Sequence, residues 1–127
     1  MEIDIKSMEE ILQLSNLEEV YSEGEIFLSA KEGVSFTELC ERVDWAVIGV
    51  EGGFYDDKVF TPDLSLVEDY SSINFKDWHS YRQNCNLKAT QFLKTFDNQK
   101  HLRFYLVFVD KHDLNKISRQ IAVKRSA

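Results

Sequence analysis

The chain has 127 residues, 43% of them hydrophobic and 13% aromatic, and carries 22 Asp and Glu against 15 Lys and Arg, a formal charge of -7. That content is enough to bury one dense core, which excludes an intrinsically disordered chain, and the length fits a single domain spanning 1–127. The start, "MEIDIKSMEE", has neither the basic flank nor the apolar centre of a secretory signal, and no apolar run approaches the roughly 18 residues of a membrane span, so a cytoplasmic protein without membrane contact is expected.

Taken in chain order, Ser7 and Glu10 form a capping-box pattern ahead of Met8, Ile11 and Leu12 at helical spacing, which predicts a short first helix. In "NLEEVYSEGEIFLSAKEGV", Leu17, Val20 and Tyr21 repeat helically. Gly24 interrupts, and Ile26 to Ala30 fit either a continued helix or a short strand, with helix favoured. Ser35 and Glu38 repeat the capping box and predict a helix with Phe36, Leu39, Cys40 and Val43 on one face. Trp45 to Val50 is a β-prone apolar run too short for a helix, read as a buried central strand that Gly52 and Gly53 stop and turn away. A loop at Tyr55 to Lys58 leads to a short strand at Val59 and Phe60, ended by Thr61 and Pro62, and "LSLVEDYSS" alternates as a further strand. From about Lys76 to Asn98, Trp78, Tyr81, Cys85, Ala89, Phe92, Leu93 and Phe96 form one apolar helical stripe. "LRFYLVFVD" from Leu102 is the strongest strand, expected to lie centrally. Asp113 can cap a last helix with Leu114, Ile117 and Ile121 on one side, before Lys124 and Arg125. The expected fold is α+β, a small single domain with a mainly antiparallel sheet of about four strands packed against helices.

The residues point to no reaction. Cys40 and Cys85 stand apart, without a Cys-x-x-Cys pair, and fit buried reduced thiols. His79, His101 and His112 are scattered, and Asp56, Asp57 and Asp63 lack the alternate spacing of a calcium loop, so no metal and no cofactor is expected. Cys85 follows His79 by six positions on the same predicted helix, well apart in azimuth, which rules out a local dyad. The carboxylates around Glu51-Gly52-Gly53 would repel a phosphate from that turn. Arg82, Lys88, Lys94, Arg103, Lys124 and Arg125 are basic, but with a pI near 4.9 and no aromatic RNA motif, direct nucleic-acid binding is not expected.

The charge is polarised. Residues 1–70 carry 18 Asp and Glu against 4 Lys and Arg, whereas residues 71–127 carry 4 against 11. Either the halves interleave and neutralise each other, or an acidic face steers a basic partner.

One stretch favours the second outcome. "ELCERVDWAVIGVEGGFY", residues 38–55, resembles the immunity proteins of tRNA-cleaving colicins. In that family a similar helix precedes a tryptophan-bearing strand with Gly-Ile-Asp-Gly-Gly and two ring residues. Trp45, Gly49, Glu51, Gly52, Gly53, Phe54 and Tyr55 stand at the matching positions, with Glu51 where the pattern has aspartate and Phe54 where it has histidine. The late strand "RFYLVFV" is a looser echo. The resemblance implies a bacterial immunity protein that binds one cognate toxin nuclease and blocks its active site without catalysis, with the toxin's activity left open. Independently, an enzyme that cuts nucleic acid carries a basic cleft that an acidic, aromatic-rimmed surface can occupy. The partner-binding residues expected on this reading are Asp44, Glu51, Asp56, Asp57, Asp63, Glu68 and Asp69 for charge, with Phe54, Tyr55 and Tyr70 as rings. A small enzyme with a site built from distant residues, and a self-associating adaptor domain, are the alternatives.

Overall fold

The computed structural model describes residues 20–22, 25–73 and 76–112. These form β1 (Val20–Ser22), β2 (Glu25–Phe27), α1 (Ala30–Arg42), β3 (Ala46–Asp56), β4 (Val59–Asp69), α2 (Trp78–Lys94) and β5 (Leu102–Val109). β1 and β2 pair as an antiparallel ribbon, and the main sheet is antiparallel in the order β4-β3-β5. The chain is thus α+β, with three strands in the main sheet rather than about four. β5 is not central: it flanks β3, and on its other side Leu28 exchanges backbone hydrogen bonds of 2.8 and 2.7 Å with Phe104. No described helix is long and apolar enough to cross a membrane. The helices expected from Ser7 and from Asp113 lie outside the described residues.

The helix favoured for the segment around Val20 to Phe27 is corrected to two short strands. Val20, Tyr21, Ile26 and Phe27 are β-branched or aromatic, types that pairing across a ribbon favours over a helix. α1 begins earlier than expected. Ser29, not Ser35, is the N-cap: its hydroxyl accepts from Glu32 N at 3.2 Å, and the Glu32 carboxylate accepts from Ser29 N at 2.9 Å. The buried face is Ala30, Gly33, Phe36, Thr37 and Cys40. Gly33 makes room for α2, since a Cβ there would lie 3.0 Å from the Leu93 side chain. Val43, expected on the buried face, is the exposed C-cap. Asp44 follows at φ 67°, and Trp45 N donates to Cys40 O at 2.8 Å, the Schellman closure in which the left-handed position is taken by aspartate instead of glycine.

On α2, capped by the Asp77 carboxylate accepting from Ser80 N at 2.8 Å, Tyr81, Cys85, Ala89 and Leu93 recur every fourth residue and are buried. They meet α1 and the even-numbered side of β5, Leu102, Phe104 and Leu106, together with Val50 and Leu66. Each large side chain buried here contributes about 1.5–3 kcal/mol by leaving water. The opposite side of the sheet carries a smaller aromatic cluster: Phe27 stacks on Phe60 with centroids 4.1 Å apart, and Tyr105 lies 6.1 Å from Phe27.

Candidate functional site

β3 and β4 form one long hairpin, and its construction corrects the reading of the two glycines. Gly52 and Gly53 do not stop β3, which runs on to Asp56. A Cβ on Gly52 would fall 2.7 Å from Leu66 and 2.8 Å from the Phe104 ring, whereas one on Gly53 would fall 2.3 Å from Thr61 O and 2.8 Å from the Phe60 ring. The pair is glycine because side chains press on it from both faces. The reversal comes later, at Asp57 and Lys58, whose φ of 49° and 65° are those of the tight hairpin turn with both central residues left-handed.

The two short strands expected after the turn are one, β4, with a break in its register. Glu51 pairs with Val67 and Gly53 with Pro62. Only Gly52 lies between these on β3, whereas Asp63, Leu64, Ser65 and Leu66 lie between them on β4, so the edge strand bows outward there. Pro62 is tolerated because no described strand pairs with the outer edge of β4.

This hairpin gathers most of the residues expected to bind a partner. Glu51, Asp56, Asp57, Glu68 and Asp69 are exposed, and Asp63 is half-buried. The Asp63 carboxylate accepts from Ser65 N and Oγ at 3.0 and 2.8 Å, and that of Asp69 from Ser71 N and Oγ at 2.8 and 2.6 Å. Lys58 is the one basic residue between Glu51 and Asp69. The carboxylates follow the hairpin from Asp69, opposite Gly49, to Asp56, a span of about 23 Å at about 3.3 Å per residue. They form a ridge around the edge strand and occupy both of its faces. Phe54 is 51% exposed, and Tyr55 is half-buried with the Arg103 guanidinium 5.7 Å from its ring centroid.

Two expected residues do not belong to this surface. Tyr70 is buried under α2, its hydroxyl 3.4 Å from Lys88 O, and desolvation pushes its pKa upward. Asp44 lies at the end of α1, where its carboxylate accepts from the Trp78 indole N–H at 2.8 Å and from Arg82. The indole hydrogen bond, aided by the Arg82 guanidinium, holds its pKa below the ordinary value. Arg82 also donates to Glu41 at 3.0 Å, and Glu41 accepts from Asn86 Nδ2 at 2.7 Å. Asn86, buried, closes this chain onto β3 by accepting from Val47 N at 2.8 Å and donating to Trp45 O at 3.0 Å. The cluster clasps α1 and α2 to the start of β3.

What sequence reasoning missed is apolar. Val59, Leu64 and Val67 are 61%, 88% and 43% exposed, so with Phe54 the hairpin exposes four large hydrophobic side chains amid its carboxylates. The available signal was their place in a strand that also carries proline and acids, a composition suited to an edge.

Chemistry elsewhere is limited. Both cysteines are buried, and desolvation raises the pKa of Cys40 steeply and that of Cys85 to about 11, which keeps both as thiols. An open groove of about 500 Å³ between α1 and α2 is lined by Thr37, Glu38, Glu41, Asn86 and Leu87 among others, with no histidine or cysteine, and Glu41 is already engaged by Arg82. Among the described residues, no group of three or more His, Cys, Asp or Glu is placed to hold a metal ion. No protein-family model matches the chain, and no curated protein matches it.

Proposed function

We propose that this chain is an inhibitory binding protein of the immunity class, which neutralises a cognate bacterial toxin, a nuclease, by laying the β3–β4 hairpin over its basic active-site cleft. The observation that carries this reading is the combination on one hairpin of six carboxylates, a single lysine and four exposed large apolar side chains. Carboxylates that only guarded a sheet edge against aggregation would not need hydrophobic residues displayed among them. A nuclease cleft is lined by Lys and Arg that bind phosphates. An acidic ridge is attracted to such a cleft at long range, and apolar contacts then hold the complex once water is expelled.

The test uses the protein encoded by the adjacent upstream gene, co-expressed and co-purified with the full chain. In Glu51→Lys/Asp56→Lys/Glu68→Lys, all three positions are exposed strand residues outside the turn and outside the Asp63 and Asp69 hydrogen bonds, so thermal unfolding should match wild type. The association rate with that protein should fall at least about tenfold at low salt and lose its salt dependence. A wild-type chain that forms no complex, or a triple variant that associates at the wild-type rate, overturns the proposal.

A further inference from the structure

Leu64 is the most exposed of the large apolar side chains described, at 88%, and it stands at the crest of the outward bow in β4. The backbone there is held from both sides. Before it, Pro62 fixes its own φ, and Asp63 closes a turn onto Ser65 N at 3.0 Å, directly spanning Leu64. After it, Leu66 is buried in the core over Gly52. A leucine presented on a fixed backbone gives up little further freedom on docking, which is the condition under which one side chain dominates an interface.

Charge decides between occupants. A second copy paired two-fold through the same hairpin would bring the same carboxylates against Asp63, Glu68 and Asp69, with only Lys58 to offset them, so that self-pairing is opposed by like charge. A pocket rimmed by Lys and Arg is favoured instead. We infer that Leu64 is the apolar anchor of the hairpin, entering an apolar pocket rimmed by Lys and Arg on a protein partner. The inference rests on the binding reading above and adds to it the residue that sets how long the complex lasts.

The experiment measures association and dissociation of wild type, Leu64→Ala and, as a control at an exposed leucine of α2 outside the hairpin, Leu87→Ala, against the product of the adjacent upstream gene. Leu64→Ala should unfold at the wild-type temperature, keep its association rate within about threefold and dissociate about thirtyfold faster. Leu87→Ala should behave as wild type. A Leu64→Ala dissociation rate equal to wild type, in a complex whose association the triple lysine variant still slows, overturns the anchor and leaves the binding reading standing. A wild-type chain that does not bind at all overturns both. Sedimentation of the chain alone at low salt should show a monomer. A dimer that Leu64→Ala dissociates makes a second copy the occupant and overturns the inference.

Discussion

Gly52 and Gly53 are adjacent in sequence but answer to opposite faces of β3. Toward the helices, Gly52 makes room for Leu66 and Phe104, and toward the other face Gly53 lets the Phe60 ring cross the strand to reach Phe27. In sequence, two glycines followed by two rings read as a turn, because local patterning does not reveal that both sides of a strand will be covered. Alanine at either position should destabilise the fold by about 2 kcal/mol or more through overpacking. Gly53→Ala should cost the more, since its Cβ would meet Thr61 O, a backbone atom that moves only if β4 moves. Urea unfolding of the two variants checks the order. Stability equal to wild type in Gly53→Ala would mean that the hairpin can open there freely. Asn86 was equally hard to foresee: it interrupts the apolar stripe of α2, and its role depends on Val47, Trp45 and Glu41, all distant in sequence.

The elements themselves were more legible than their ends. The central strand from Trp45, the stripe of α2 and the alternation of β5 each rest on many residues agreeing with one period. Boundaries rest on one or two residues, and α1 shows why they mislead. Ser29-x-x-Glu32 and Ser35-x-x-Glu38 are both capping boxes by pattern, so a local signal cannot choose between them. Packing does: with the cap at Ser29, Ala30 and Gly33 are carried into the core, and Gly33 lies against Leu93 of α2. Ser29→Ala should therefore destabilise the protein by about 1 kcal/mol, whereas Ser35→Ala, at an exposed position inside the helix, should change stability by less than about 0.5 kcal/mol. Thermal melts of the pair decide it. A larger loss in Ser35→Ala would place the helix start where the sequence pattern alone put it.

For the molecule as a whole, the division into an acidic early half and a basic late half is visible in a residue count, yet the count cannot say which charges meet. Among the described residues, the ion pairs join Arg82 of the late half to Glu41 and Asp44 of the early half. The hairpin carboxylates form no ion pair among the described residues, so within that part of the chain their charge is not offset by a direct partner. The clasp itself responds to pH. The Asp44 carboxyl is held below its ordinary value of 3.8 by the Trp78 indole hydrogen bond and the Arg82 guanidinium. A carboxyl depressed in the folded state stabilises the fold above its unfolded pKa, and that contribution is lost as pH falls through the folded one. Asn tolerates the left-handed backbone that Asp44 adopts, so Asp44→Asn removes the charge without adding backbone strain. Wild type should therefore be more stable than Asp44→Asn at pH 7, and the gap should close as the solution is acidified below the carboxylate range. Urea unfolding of both proteins across that range measures it, and a gap that persists undiminished in acid would show that the ionised carboxylate does not hold the clasp.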